Sequence, residues 1–276
     1  MGESHGVRWT VEGRVAQVVL DLPPVNIVGL DLVIGLSELV PALAGAGVTV
    51  AVFRSADPDF FLMHGDVERI VAVPPSEPVA ATEPNVVAAL LQQLHTAPYL
   101  TIGVVDGAAR GGGCEVLSAL DLRIGTPRTR IGQPEVPMGI LPGAGGTTRW
   151  PWLVGRARAL EIILTGRDLD ADEALAVGWL DELVPVDEID ARVEALAARV
   201  GAMPPASVAA VKRVVDRSLR EGISEEVLTA ESDELGRLLA AGTHVEPMRR
   251  FLAAGGQTRE AEAGSIEPLL RAMLEG

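Results

Sequence analysis

Residues 101–146 read TIGVVDGAARGGGCEVLSALDLRIGTPRTRIGQPEVPMGILPGAGG, and this segment decides the fold. It opens with a short apolar run rich in β-branched residues, 101–105, which ends in an Asp-Gly pair and is typical of a buried strand that meets a turn. Three glycines at 111–113 follow, and residues 114–122 then take on helical spacing. The segment therefore predicts a strand that leads through a glycine elbow into a helix.

The glycine elbow is a candidate site for a negatively charged oxygen. Glycine has no Cβ, so its peptide N–H groups are unshielded, and here they precede a helix whose N-terminus favours negative charge. Such a position is suited to stabilising an oxyanion. Cys114 lies inside this elbow and is interpreted as a small packing residue rather than as a nucleophile.

Two glutamates flank this elbow in the sequence. Glu115 lies in the first turn of the predicted helix, and Glu135 follows twenty residues later in a loop after Gln133 and Pro134. A second apolar strand, 122–124, lies between them; if the two strands are neighbours, both carboxyls can face one pocket. A further glycine turn at 142–147 begins another helix nearby. The alternative is that these turns are structural and that both glutamates are solvated.

Taken together, the motifs resemble the enoyl-CoA hydratase/isomerase (crotonase) family. The resemblance extends from about Val7 to about Ala254, and it is carried by GAARGGGCE, QPEVPMGILPGAGGTTR and LVGRARALEIILTGRDLDADEALAVGWLDELVP in this order. It implies an α/β fold of the ClpP/crotonase type, a spiral of repeated β-β-α units with a C-terminal α-helical region. We expect a spiral core at 1–202 that carries the active site and a helical oligomerisation region at 203–276.

The resemblance also implies roles for individual residues. Gly112 matches one donor of the family's oxyanion hole, and Glu115 and Glu135 match the acid/base pair of the hydratase members. The second donor falls on Gly65, within the segment FLMHGDV that corresponds to the family's FxAGxDL pattern.

Further residues are predicted to bind substrate. His64 stands where the family usually has glycine, and it either hydrogen-bonds an acyl substituent or fills space. Arg110 contacts coenzyme A, forms an ion pair between subunits, or is simply solvated. The predicted substrate-binding set is Val25, His64, Asp66, Arg110 and Gly143.

Composition limits the classes of partner. The 276 residues are 48% apolar and carry a formal net charge of −15, which argues against a nucleic-acid surface and against anionic membranes. Lys212 is the sole lysine, so a polyanionic ligand must rely on backbone N–H groups and arginines. One cysteine excludes an intramolecular disulfide, and no HExxH or Cys/His cluster predicts a metal. No long apolar segment is present, which predicts a cytoplasmic protein.

The remaining segments support a repeated strand-then-helix order. Residues 8–11 and 15–20 predict a hairpin, and Pro41 is expected to bend or shorten the helix that contains it. Residues 72–83 are rich in Pro, Ala and Ser and are interpreted as a mobile loop, which is either a plain surface connection or, as the family resemblance implies, a lid that shapes an acyl pocket. The chain after Gly146 is mostly helical, with Asp170 and Ser224 as N-caps. The family resemblance implies a homotrimer or a dimer of trimers.

These residues predict the hydration of a 2-enoyl-CoA thioester, with coenzyme A as part of the substrate and with no metal or other cofactor. Glu115 is expected to deprotonate the water and Glu135 to protonate the α-carbon, although the sequence is equally compatible with the reverse assignment. The alternatives are an enoyl-CoA isomerase, another acyl-CoA-transforming crotonase, or a non-catalytic acyl-CoA-binding trimer. A serine hydrolase is disfavoured because Ser118 lacks a G-x-S-x-G elbow.

Overall fold

The structure, a computed structural model, describes residues 1–74, 77, 80–258, 261 and 265–274. The chain forms two compact units, Met1–Gly201 and Ala202–Gly276. The predicted loop at 72–83 includes residues 75, 76, 78 and 79, which lie outside the described residues.

The first unit is built from strands and helices that alternate along the chain. Its strands are β1 (Gly2–Ser4), β2 (Val7–Glu12), β3 (Val15–Leu20), β4 (Val50–Ser55), β5 (Phe60–Leu62), β6 (Leu100–Val105), β7 (Ala108–Arg110), β8 (Leu122–Gly125), β9 (Arg130–Gly132), β10 (Asp168–Asp170) and β11 (Glu182–Leu183). Its helices are α1 (Leu30–Gly45), α2 (Val67–Val71), α3 (Val86–His95), α4 (Gly112–Ala119), α5 (Gly146–Val154), α6 (Arg156–Thr165), α7 (Ala171–Ala176) and α8 (Ile189–Gly201).

Two sheets give this unit its spiral form. The larger sheet has the order β1-β2-β3-β4-β6-β8-β11, and the smaller has the order β10-β9-β7-β5. Strands β4, β6 and β8 are parallel neighbours in the larger sheet, and β5, β7 and β9 are parallel neighbours in the smaller one. Each turn of the chain therefore adds one strand to each sheet and then a helix, which confirms the predicted spiral of β-β-α units.

The larger sheet is buried on both faces. In β4, Ala51 and Phe53 belong to one apolar cluster, whereas Val50 and Val52 belong to a second cluster that packs against α8. The two sets alternate because successive side chains of a strand point to opposite faces. Burial on both faces explains why the parallel strands read as continuous apolar runs.

Pro41 does not end α1, which continues to Gly45. Of the two predicted effects of Pro41, shortening of the helix is therefore wrong, and bending of the helix stays a prediction. Leu39 and Leu43, on either side of Pro41, are fully buried. Their burial outweighs the backbone hydrogen bond that proline removes.

The second unit is helical throughout its described residues. It contains α9 (Pro205–Glu221), α10 (Glu225–Ala241), α11 (Val245–Ala253) and α12 (Glu267–Leu274). Ser224 caps α10 by accepting from the N–H of Val227. None of the helices in the described ranges has the length and apolarity needed to cross a membrane. The role of this unit in trimer formation stays a prediction.

A buried arginine on β8 joins the sheet to the segment that precedes its edge strand β11. The Arg123 side chain is 3% exposed and donates to the carbonyls of Trp179 and Leu120 and to the carboxylate of Asp181, at 2.7, 2.9 and 2.8 Å. Removal of the guanidinium would take this donor from both carbonyls, whereas the Asp181 carboxylate would keep the backbone N–H of Arg123, at 2.7 Å.

Arg123→Met should lower the free energy of unfolding by about 3–5 kcal/mol, because it leaves two carbonyls without this donor and removes the cation that pairs with the partly buried Asp181 carboxylate. Arg128→Met is the matched control: its ion pair with Asp106 is more exposed than that of Arg123 and should cost less than about 1 kcal/mol. Urea denaturation measures both values. Equal losses for the two variants would contradict this account.

Candidate active site

Glu115 is placed by the glycine elbow. Gly111 has φ +52°, a conformation that favours glycine, and its carbonyl accepts from the N–H of Glu115 at 3.0 Å. This bond closes the first turn of α4, so Glu115 lies on the first turn as predicted, where its side chain is only 4% exposed. The parallel pairing of β7 with β9, in which Arg110 lies opposite Gly132, places the elbow beside the segment that carries Glu135.

The Glu115 carboxylate is held through one of its two oxygens. Oε1 accepts from the N–H of Ala144 at 2.7 Å and from the N–H of Gly146, the first residue of α5, at 2.9 Å. Burial raises the pKa of this carboxyl above its usual value, whereas the two N–H groups and the Arg149 guanidinium act in the opposite direction. The donors and the N-terminus of α5 therefore favour the ionised form.

Glu135 lies in the turn after β9 and is 6% exposed. A Cβ built on Gly111 would lie 2.4 Å from Glu135 Oε1, so the carboxyl occupies space that only glycine leaves open. Burial raises the pKa of Glu135 to about 7, and the negative charge of Glu115 adds to this effect. Glu135 is therefore the carboxyl of this pair that retains a proton near neutral pH.

Gln133 orients Glu135. Its side chain is fully buried, its Nε2 donates to Glu135 Oε2 at 2.9 Å, and its Oε1 accepts from Trp150 Nε1 at 3.1 Å. The indole N–H can only donate, so it determines which end of the Gln133 amide faces the carboxyl.

Gly146 lies beside Glu115 and the amide of Gln133. A Cβ on this residue would lie 3.1 Å from Glu115 Oε1 and 2.8 Å from the Gln133 Oε1 that accepts from Trp150. The glycine at the start of α5 therefore leaves room for Glu115 and for the amide that orients Glu135. The structure thus brings together residues that are twenty positions apart in the sequence.

Two backbone N–H groups lie beside these carboxyls. The His64 carbonyl accepts from the N–H of Val28 at 3.0 Å, so the N–H of Gly65, on the other side of the same trans peptide, points the opposite way. The Gly111 carbonyl likewise accepts from the N–H of Glu115 in α4. The N–H of Gly112, on the other side of the same peptide, therefore points away from that helix. Within the described ranges, neither N–H has a protein acceptor.

The two donor glycines are close neighbours. A Cβ on Gly112 would lie 3.3 Å from the nitrogen of Gly65 and 3.1 Å from Cβ of Val28. Gly113 is more constrained still, since a Cβ there would overlap the Leu62 carbonyl at 1.9 Å. The two N–H groups are thus near neighbours, as an oxyanion site requires, and the predicted role of Gly65 and Gly112 as oxyanion donors stays a prediction.

Asn26 holds the segment that faces these glycines. Its amide Nδ2 donates to Ser55 Oγ at 2.7 Å and to the Phe61 carbonyl at 3.2 Å, and its Oδ1 accepts from the N–H of Leu22 at 2.6 Å. The predicted substrate-binding residue Val25 precedes it and is half-buried. Asn26 therefore fixes the backbone around Val25, a role that the sequence analysis did not anticipate.

His64 lies between the two donor segments. Its Nδ1 donates to the Gly65 carbonyl at 2.9 Å, which leaves Nε2 as the acceptor of the neutral ring. Its Cβ lies against Gly111, the residue that also contacts Glu135. Both interpretations of His64, contact with an acyl substituent or space filling, are compatible with this position.

The other predicted substrate-binding residues have different settings. Asp66 caps α2 by accepting from the N–H of Arg69, and it lines a cavity of about 520 Å³ together with residues of the β3–α1 loop. Arg110 forms a bidentate ion pair with Asp168 of the same chain, so its guanidinium is not simply solvated, and its contact with coenzyme A stays a prediction. Gly143 is exposed, and its carbonyl accepts from Asn85.

Sequence reasoning missed Asn26, Gln133 and Arg149. The last two lie within motifs that carried the family resemblance, QPE and GAGGTTR, and their polar side chains beside the glycines were the signal available. The part of the chain that the structure describes contains no cluster of His, Cys, Asp and Glu that could hold a metal ion. The expected independence from metals stays a prediction.

The two-sheet spiral with its glycine-lined carboxyl pair is the fold of the crotonase-type proteins. An enoyl-CoA hydratase of Geobacillus kaustophilus superposes on this chain with a TM-score of 0.83 at 23% identity, over 91% of this chain and 95% of the other. DspI of Pseudomonas aeruginosa superposes with a TM-score of 0.80 at 27% identity, over 92% and 96% of the two chains.

Similarity in sequence extends over nearly the whole chain. The family model described as enoyl-CoA hydratase/isomerase matches residues 10–255. A protein of Streptomyces avermitilis, assigned provisionally as an enoyl-CoA hydratase, is 33% identical over 97% of this chain and 98% of its own, with a TM-score of 0.69. The chain belongs to the enoyl-CoA hydratase/isomerase family.

The raised pKa of Glu135 predicts that this residue destabilises the folded protein at alkaline pH. Its pKa is about 7 when folded and 4.5 ordinarily, so stability is lost as the pH rises between these values and stays constant above them. Glu135→Gln removes this loss and should stabilise the protein at pH 8 by up to about 3 kcal/mol.

Urea denaturation at about pH 8 and at about pH 4 checks this expectation, because the gain should vanish where both states are protonated. Glu173→Gln is a control on an exposed carboxylate that pairs with Arg167. A gain that is independent of pH would contradict the assignment of the effect to ionisation.

Proposed function

We propose that this protein is an enoyl-CoA hydratase that adds water reversibly to a 2-enoyl-CoA thioester to give the 3-hydroxyacyl-CoA. The proposal is carried by two buried carboxyls, those of Glu115 and Glu135, whose hydrogen-bond partners differ. They lie beside the N–H groups of Gly65 and Gly112, for which the described residues supply no acceptor. An acid, a base and an oxyanion site are the groups that hydration of a conjugated thioester requires.

Glu115 is the base in this proposal. Both of its backbone donors bind Oε1, which leaves Oε2 to accept a hydrogen bond from water. The same donors favour the ionised carboxylate, which is the form that can remove a proton.

Glu135 is the acid. Its pKa near 7 allows it to hold a proton at neutral pH and to give that proton up in the reaction. Gln133 and Trp150 fix its orientation, so the proton is delivered from a defined direction.

Glu115 takes a proton from water, and the water oxygen forms a bond to the β-carbon of the thioester. The electron pair of the carbon–carbon double bond shifts to form a double bond between the α-carbon and the carbonyl carbon, and the carbonyl π pair moves to the thioester oxygen, where the N–H groups of Gly65 and Gly112 stabilise the enolate. When the carbonyl re-forms, the α-carbon takes the proton of Glu135. Coenzyme A enters only as part of the substrate, and no other cofactor is part of this proposal.

Glu115→Gln and Glu135→Gln should each lower kcat for hydration of crotonyl-CoA by about 10²–10⁴-fold, because each removes one proton-transfer group. The loss of the enoyl-thioester absorbance measures the rate, and circular dichroism checks the fold. Near wild-type turnover in either variant would overturn the role of that residue.

A 3-enoyl-CoA substrate separates hydration from isomerisation. An isomerase shifts the double bond with one principal carboxylate, whereas hydration uses both. Rapid formation of the conjugated thioester from the 3-enoyl-CoA, without hydration of crotonyl-CoA, would replace the hydratase assignment by an isomerase.

The dependence of kcat/KM on pH follows from the two carboxyls. Hydration requires Glu135 protonated, so kcat/KM should fall about tenfold per pH unit above about pH 7. At low pH it should fall again as Glu115 becomes protonated. If kcat/KM does not fall as the pH rises from about 6 to about 9, the assignment of Glu135 as the acid is contradicted.

A further inference from the structure

The orientation of Glu115 depends on a turn that is distant in sequence. Ala144 and Gly146 supply both N–H groups that hold its Oε1, so any movement of residues 142–146 changes where the carboxylate points. The turn contains Gly145 at φ +115°, which favours glycine, and it is exposed at Gly143.

Helix α3 holds this turn at its first end. Asn85 is the N-cap of α3, and its Oδ1 accepts from the N–H of Ala88 at 2.9 Å. Its Nδ2 donates at the same time to the Gly143 carbonyl at 2.8 Å, across 58 positions of sequence. One amide thus caps the helix and tethers the turn.

The same helix reaches the turn a second time through Arg149. Gln92 lies seven residues after Asn85, two helical turns further along the same face. Its Oε1 accepts from Arg149 Nη2 at 3.2 Å, and Arg149 Nη1 donates to the Ala144 carbonyl at 3.3 Å. The guanidinium lies directly against Gly145, where a Cβ would overlap Nη1.

We propose that Asn85 and Arg149 are positioning residues for Glu115: α3 clamps the turn at 142–146 at two adjacent carbonyls, those of Gly143 and Ala144, so that the two N–H groups of the turn present the carboxylate to water. The inference rests on the proposed function of Glu115 as the base. Arg149 also adds a positive charge that favours the ionised carboxylate. Neither residue touches the reacting atoms in this account.

Asn85→Ser separates capping from tethering. A serine hydroxyl can still cap α3, but it is too short to reach the Gly143 carbonyl. Arg149→Met removes both the planar set of N–H donors of the guanidinium and its positive charge, whereas Arg149→Lys keeps the charge alone. Arg156→Met is the matched control, since Arg156 is exposed at the start of the next helix.

With crotonyl-CoA as substrate, Asn85→Ser and Arg149→Met should lower kcat about 10–100-fold and change KM less than about threefold, because a misplaced base affects the chemical step more than binding. In Arg149→Met the acid limb of the pH profile should also move to higher pH, since the cation that favours ionised Glu115 is lost. Arg149→Lys should return that limb towards its wild-type position.

Amide hydrogen exchange of Ala144 and Gly146 tests the clamp independently of activity. Exchange should accelerate in Asn85→Ser and Arg149→Met and stay unchanged in Arg156→Met. Unchanged exchange, or wild-type kcat and pH profile despite faster exchange, overturns the inference. If Arg149→Met does not fold, Asn85→Ser and Arg149→Lys carry the same test.

The failure of this inference can be distinguished from failure of the proposed function. A wild-type protein that hydrates neither crotonyl-CoA nor a longer 2-enoyl-CoA overturns the hydratase proposal, and the role of Asn85 and Arg149 in catalysis falls with it. The exchange rates then decide by themselves whether α3 clamps the turn.

Discussion

The close approach of two backbone segments at the glycine elbow is the constraint on which the site depends. The N–H of Gly113 donates to the Met63 carbonyl at 2.8 Å, and no side chain fits between Gly113 and Leu62. This contact joins the end of β5 to the start of α4. It brings the N–H groups of Gly65 and Gly112 together, because Gly112 immediately precedes Gly113 and Gly65 lies two residues after Met63. The glycine elbow thus places two backbone N–H donors, one from each segment, close together.

Around this elbow, two residues of the same type acquire different properties. The carboxylate of Glu115 accepts two backbone N–H groups at the start of α5, whereas Glu135 has an amide partner and a larger rise in pKa. Burial acts on both, so the difference comes from the donors and from the repulsion between the two charges. A pair of glutamates can therefore divide acid and base work without any difference in covalent structure. The burial of ionisable groups opposes stability, and the apolar packing of the surrounding sheets offsets it.

Local patterns predicted local features well. The hairpin of β2 and β3, the caps at Asp170 and Ser224, and the strand–elbow–helix order of 101–119 all follow from residues that are close in sequence. Pro41 shows the limit of such reasoning, since tertiary burial of its neighbours overrides the local penalty. Glu173 shows it too: it stands at the capping-box offset from Asp170, yet its carboxylate pairs with Arg167. Competition between partners cannot be read from spacing alone.

The sequence by itself determined the repeated β-β-α order, the family, and the placement of Glu115 and Glu135 near glycine turns, because periodicity, glycine clusters and motif spacing are properties of short segments. Only the tertiary structure decided which groups meet. Asn85 and Gly143 are 58 positions apart, as are Arg110 and Asp168, and neither pairing has a local signature. The different environments of the two glutamates likewise arise from α5, Gln133 and Trp150, which come together only in the folded chain. Burial and hydrogen-bond geometry are properties of the packed chain, and for that reason the tertiary structure, not the sequence pattern, decided the chemical environment of the site.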